Sequence, residues 1–315
     1  MTVRFGVHVG PQNMAMDDLR ALWRELDQAG MDWISLWDHF YESPPVDGMG
    51  PHFEAIAAMA ALAAETEQVR VGCLVFCVVY RNPALLAKAL TTLDHVSRGR
   101  LEVGLGAGWH QMEFDAYGYE YGRLGRRLDM LEEAVQIIRG MLTQERTTFE
   151  GKHCSVVNAT CQPPPVQERV PIWIGGTGVK RTLPAVARYA DGWNAAYIPP
   201  EEFGRLSRVL NDCCTNEGRD PASVRRSVNL AFALGSDKAR AAKIEEEARR
   251  QSGVVAERIA GGSLFGTPDD AADRIAQYID AGAQDINVAL RVPWDEAALR
   301  VYVEEVVPAM RKRFA

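Results

Sequence analysis

Two rhythms of apolar and polar positions alternate along the chain. Short β-rich runs occupy residues 3–9, 33–37, 69–76, 101–105, 172–174, 192–196, 227–234 and 285–290. Between them the spacing changes to the three-and-four interval of amphipathic helices, at 16–29, 53–66, 83–96, 124–142, 179–189, 201–217, 269–281 and 295–311. Leu19, Leu22, Trp23 and Leu26 form one such stripe, and Leu128, Leu131, Val135 and Ile138 another, as expected when one helical face is buried.

Punctuation supports these elements. Thr267-Pro268-Asp269-Asp270 reads as an N-cap, a proline at the first helical position, and acids at the positive end of the helix dipole. Ala29-Gly30 and Ala281-Gly282 read as helix C-termini that lead into the next strand. Eight strand–helix units in 315 residues fit a closed (β/α)8 barrel, a TIM barrel, better than a doubly wound sheet. Two stretches exceed the repeat. Residues 143–170, with Pro163-Pro164-Pro165, predict an inserted hairpin or loop before strand five, and residues 236–262 predict a charged helix at 238–250 and a glycine pair between strands seven and eight. Neither differs enough in composition to mark a second domain, so residues 1–315 are expected to form one barrel domain.

Composition narrows the function. Thirty-five lysines and arginines against 42 acids leave a net charge of −7 and a pI near 5.5, with mean hydropathy −0.17. Such a chain is not built to hold nucleic acid or anionic lipid, which need clustered positive charge. The first residues lack a secretory h-region and no apolar run is long enough to span a bilayer, so a cytoplasmic protein is expected. Six cysteines, at 73, 77, 154, 161, 213 and 214, form no C-x-x-C pair and no zinc spacing with histidine. No metal site is expected.

Barrel enzymes carry their chemistry at the C-terminal ends of the strands. Asp38-His39 follows strand two, suited to a proton relay or to capping a loop. After strand four comes Gly104-Leu105-Gly106-Ala107-Gly108-Trp109-His110, whose glycines let a flat ligand approach the backbone. Gly175-Gly176-Thr177-Gly178 follows strand five and precedes Lys180 and Arg181; it reads as an anion cradle at a helix N-terminus or as a simple tight turn. Cys73 and Cys77 of strand three are expected to pack rather than react. His8 and Arg291 lie at the ends of strands one and eight, with Arg291 suited to a substrate anion or to a rim ion pair. A metal-dependent hydrolase would want a His-x-His pair after strand one, which this chain lacks.

In this order these stretches resemble the luciferase-like monooxygenase superfamily, and within it the branch using the deazaflavin coenzyme F420. The resemblance runs through Ser35-Leu36-Trp37-Asp38-His39-Phe40, Arg81-Asn82-Pro83, Gly99-Arg100-Leu101, Gly104 to Trp109, Glu113, Gly118, Pro171-Ile172-Trp173-Ile174-Gly175-Gly176, Ala190 to Asn194 and Gly266-Thr267-Pro268. It implies an oxidoreductase passing hydride between C5 of F420 and a small organic substrate. It also implies a ring site at a non-proline cis peptide, Leu74–Val75, and a tail phosphate on Gly175, Gly176, Thr177 and Gly178, with Gly106, Ala107, Gly108 and Trp109 assisting. Asp38 and His39 would lie by the reacting face of the ring, His39 as acid or base, and Asp38 also as a cofactor contact. Substrate would meet His8, Trp37, His110, Tyr197 and Arg291. A homodimer is implied, with a separate flavin or F420 reductase as a further partner. Alternatives are a monooxygenase using reduced FMN and oxygen, and a non-catalytic flavin- or F420-binding barrel. The chain departs from the sugar-phosphate dehydrogenases of this branch at Trp109, where they place an acid, and at Tyr197-Ile198-Pro199-Pro200, where they use a lysine.

Overall fold

A computed structural model describes residues 2–42, 47–252 and 260–315. Eight parallel strands close a barrel: β1 (Arg4–Val9), β2 (Trp33–Leu36), β3 (Arg70–Cys77), β4 (Leu101–Gly106), β7 (Ile172–Gly175), β8 (Gly192–Ala196), β9 (Arg225–Leu234) and β11 (Asp285–Leu290). The ring runs β9-β11-β1-β2-β3-β4-β7-β8 and shuts through β8–β9. All eight lie where the β-rich runs place them.

The remaining strands are local. β5 (Thr147–Glu150) and β6 (Ser155–Ala159) make an antiparallel hairpin within the first insertion. β10 (Ser263–Gly266) pairs in parallel with the C-terminal end of β9, Ser263 opposite Ala231 and Gly266 opposite Leu234. Sequence patterning does not anticipate β10, because four residues are too few to show alternation. The charged helix of the second insertion is present as α8 (Lys238–Ser252), and residues 253–259 of that stretch lie outside the described residues.

Helices α1 (Met16–Gln28), α2 (Ala55–Glu65), α3 (Pro83–Val96), α5 (Leu124–Thr143), α6 (Thr182–Tyr189), α7 (Pro200–Asn216), α9 (Pro268–Asp280) and α10 (Glu296–Val301) follow the barrel strands or continue their units. A short α4 (Gln111–Ala116) precedes α5 and was not expected. The terminal helix is broken by a π-helical turn at Tyr302–Val306 before α11 (Val307–Arg313). The predicted ends hold: Gly30 and Gly282 adopt positive φ of 73° and 100°, and the Asp270 carboxylate accepts from the Thr267 N–H and hydroxyl, both at 2.8 Å.

Side chains alternate between the helix layer and the barrel interior. Phe5, Val7 and Val9 face outward into the main hydrophobic core, which puts Arg4, Gly6 and His8 inside. The interior floor is ionic. Glu102, 2% exposed, accepts from Arg4, from Arg70 and from the Trp173 indole N–H at 2.7 Å, while Asp285 accepts from Arg4 and Arg225. Burial disfavours both charges, yet the pairing holds Arg4 above and Glu102 below its ordinary pKa. Above the floor Trp33 and Trp173 pack with ring centroids 5.2 Å apart; a Cβ on Gly192 would stand 2.1 Å from the Trp173 ring, so only glycine fits there. Asn194, Asn229, Asn287 and Ser227 form the next layer, linked by amide and hydroxyl hydrogen bonds of 2.9–3.3 Å. The floor and its plugs close the barrel below and leave the strands' C-terminal ends as the place for chemistry.

Candidate active site

The β2 end carries His39 into the mouth, and α4 brings Glu113 to meet it. Glu113 is fully buried. One of its oxygens accepts from the Phe40 and Tyr41 backbone N–H groups at 2.7 and 3.0 Å. The other lies 2.8 Å from His39 Nδ1 and accepts from the Tyr80 hydroxyl, also at 2.8 Å. Burial works against the charged carboxylate, but the His39 hydrogen bond and the backbone donors outweigh it and lower its pKa to about 2. An ionised carboxylate only accepts, so Nδ1 carries the shared proton. Nε2 of His39 makes no hydrogen bond to any described residue.

Asp38 is differently employed. Its buried carboxylate takes two N–H groups of Arg81, at 2.6 and 2.9 Å, and the Cys77 N–H at 2.9 Å. Burial pushes the acid upward while Arg81 and the N–H donor pull it down. The arrangement ties the β2 end to the β3 end and leaves Asp38 as a brace beneath His39 rather than a free reacting acid. Burial raises the Cys73 thiol well above its usual range and the Cys77 thiol to about 12, in keeping with thiols that pack.

One residue of excess in β3 shifts its register against β4 between Cys73 and Phe76, a bulge formed by Leu74 and Val75. The Leu74–Val75 peptide is cis. Leu74 turns down onto Trp33 and Trp173. Val75 packs where Cβ atoms on Gly106 and Gly175 would stand only 2.4 and 2.8 Å from its methyls. Those two glycines therefore make room for the bulge itself. Beside it Ala107, Gly108 and Gly175 are half-buried and Gly176, Thr177 and Gly178 exposed, forming a strip of accessible, glycine-rich chain at the ends of β4 and β7.

The Gly175–Gly178 turn, read from sequence as an anion cradle or a simple tight turn, differs in detail from that reading. Helix α6 starts at Thr182, not at 179, because residues 179–181 form a turn. The Gly176 N–H is taken by the Asn194 carbonyl at 3.0 Å, and Arg181 is drawn away by Asp129 and Glu132, both at 2.8 Å. Among the described residues, the Thr177 and Gly178 N–H groups have no partner within the protein.

Across the mouth, four of the expected substrate residues gather. Arg291 lies over Trp37 with its guanidinium carbon 5.0 Å from the ring centroid, and donates to the Tyr197 hydroxyl at 3.3 Å. His8 meets Trp37 edge-on at 5.0 Å and shares a 2.9 Å hydrogen bond with Ser35. The fifth, His110, sits on the His39 side, 5.8 Å from that ring and 4.9 Å from Trp109. Trp109 itself is 57% exposed and edge-on to His39 at 5.5 Å.

Two histidines, His8 buried and His52 half-buried, make stability sensitive to acid. Burial, aided by the Arg291 charge, lowers the His8 pKa to about 3, and burial with the His39 charge lowers that of His52 to about 4. The unfolded chain protonates both near pH 6.5, so they add no pH dependence above that value. Below it only the unfolded state takes up protons, and stability falls between pH 6.5 and 4 by up to about 1.4 kcal/mol per pH unit for each histidine. Urea unfolding across this range measures the slope, which should be shallower in His8→Asn; a flat wild-type profile refutes the assignment.

The sequence reading named His39 and Asp38 but gave no role to Glu113, Tyr80 or Arg81, which hold them. Glu113 is 74 residues from His39, and spacing alone gives no signal for such a pair. Among the described residues no group of three His, Cys, Asp or Glu side chains is placed to hold a metal ion, and no helix is long and apolar enough to cross a membrane.

Comparison with known proteins gives the family and the fold. Residues 1–250 match the family model described as luciferase-like monooxygenase. The chain is 29% identical to an F420-dependent glucose-6-phosphate dehydrogenase of Microbacterium testaceum, over 99% of each chain. It is 32% identical to an uncharacterised protein of Mycobacterium tuberculosis, over 71% of this chain and 72% of that one. Its fold matches an F420-dependent secondary alcohol dehydrogenase solved with an F420–acetone adduct, with a TM-score of 0.85, 19% identity, and 98% and 99% of the two chains covered.

Proposed function

Since the chain belongs to the luciferase-like monooxygenase family, we propose that it is an F420-dependent oxidoreductase acting on a small organic substrate. The observation that carries this reading is the His39–Glu113 pair at the edge of an accessible, glycine-lined strip. The strip fits a flat ring. Side chains at 106 and 175 are excluded by Val75, so backbone and one valine face the ligand, and the Thr177 and Gly178 N–H groups remain for an anionic tail. Val75, Gly106, Ala107, Gly108 and Trp109 would hold the ring side of F420, and Gly175 to Gly178 its phosphate. When bound, F420 supplies the hydride acceptor or donor.

This chain's own groups supply orientation and a proton site. His39 Nε2 takes up a substrate hydroxyl proton in the oxidising direction and returns it in the reducing one. The Glu113 carboxylate compensates the imidazolium formed in between. Asp38, through Arg81 and the Cys77 N–H, keeps the β2 and β3 ends in fixed relation beneath it. Trp37, Tyr197 and Trp109, with Arg291 across the mouth, favour a flat, largely apolar substrate bearing an anionic group.

Binding titrations with F420 and with FMN test the cofactor. We expect F420 to bind at least about tenfold more tightly, a difference of about 1.4 kcal/mol, and reduced FMN to support no substrate-dependent oxygen consumption. Tight FMN binding with coupled oxygen uptake would replace this reading by a flavin monooxygenase. Cofactor binding without turnover across alcohols, aldehydes and aromatic acids would leave a binding protein.

A further inference from the structure

We propose that Glu113 is a positioning residue whose carboxylate dictates which ring nitrogen of His39 carries the proton, leaving Nε2 as the base that meets substrate. The consequence for turnover rests on the functional reading above; the assignment of the proton does not.

The four donors around Glu113 divide unequally. Two are backbone N–H groups, of Phe40 and Tyr41, and both point at one oxygen. A backbone N–H cannot become an acceptor, so whatever occupies that position must be an acceptor. The other oxygen faces the Tyr80 hydroxyl and His39 Nδ1, and each of these can either donate or accept. The buried site therefore has one fixed end and one adaptable end. With a carboxylate present the adaptable end accepts, Nδ1 is protonated, and Nε2 presents a lone pair.

Glu113→Gln exposes this asymmetry. The amide oxygen must stay with the two backbone N–H groups, because turning it around would set NH2 against both of them in a buried site. Its NH2 then faces Tyr80, whose hydroxyl rotates to accept, and His39 Nδ1, which must also accept. The ring proton moves to Nε2 and the base is lost, while shape and hydrogen-bond count are kept. The same logic applies wherever a buried carboxylate fixes a catalytic histidine tautomer.

The test reads the tautomer directly. Full-length protein with 15N-labelled histidine is measured by long-range 1H–15N correlation at pH 8.5, without cofactor or substrate, with His39→Ala assigning the resonance. Wild type should show His39 protonated at Nδ1, and Glu113→Gln at Nε2. In F420-coupled assays the variant should lose about 10²-fold or more in kcat, with KM and F420 affinity within about twofold. A wild-type ring protonated at Nε2 overturns the proposal even if the variant fails to fold. So does a folded Glu113→Gln protein that keeps the Nδ1 proton or full kcat. Should wild type show the expected tautomer but no F420 turnover, the functional reading fails and the positioning assignment stands.

Discussion

Replacing His39 by alanine is expected to lower kcat for F420-coupled turnover by about 10²- to 10⁴-fold, the usual contribution of a positioned general acid–base group. F420 affinity should stay within about twofold. The strip proposed for the cofactor is built from Val75 and backbone at Gly106 to Gly108 and Gly175 to Gly178, none of which depends on the imidazole. His39 is anchored by Glu113 and meets Trp109 edge-on. Steady-state rates at saturating F420, with a parallel binding titration, separate the two effects. Unchanged kcat would remove His39 from the mechanism, and a matching loss of affinity would make it a binding residue instead.

The second large effect lies at the other end of the barrel. Glu102→Leu should destabilise the fold by about 3–5 kcal/mol, the range seen when one partner of a buried ion pair is deleted. The substitution takes the acceptor from Arg4, Arg70 and the Trp173 indole together. Arg4 would keep only Asp285, which it already shares with Arg225. Leucine fills much of the volume but accepts nothing, so the loss is electrostatic rather than one of packing. Urea titration gives the change, and kcat per folded molecule should be unaltered because Glu102 faces the floor. A shift below about 1 kcal/mol would mean that the remaining groups re-pair or reach water.

How much of this was legible beforehand depends on how local each signal is. All eight barrel strands were, because each is a compact β-rich run between helical stripes such as Leu19, Leu22, Trp23 and Leu26. Helix ends at Gly30, Thr267 and Gly282 were too, since caps are written within a few residues. The six-residue α4 and the four-residue β10 were not, as neither is long enough for a period to emerge. At the mouth, residue types were visible and their partners were not. Asp38 reads as a reacting acid until Arg81 is seen against it, and Arg181 reads as an anion ligand until Asp129 and Glu132 claim it. Each of those pairings joins segments that only the closed barrel brings together.

One detail of the wall bears on how such a protein changes over evolution. Strand β9 gives its first half to β8 and its last residues to β10 along the same edge, and the Gly235 N–H meets the Gly266 carbonyl at 3.0 Å. The insertion thus leaves the barrel at the end of β9 and returns along the same edge through the four-residue pairing of β10. β10 pairs with β9 outside the eight barrel seams, so the insertion adds to the wall without replacing any of them. Gly262, just ahead of β10, abuts the backbone of Tyr197, so exchanging this insertion is expected to reshape the Tyr197 side of the mouth while the His39–Glu113 side stays as it was. Under the function proposed above, recombining this one segment between relatives would vary selectivity while the His39–Glu113 pair is kept.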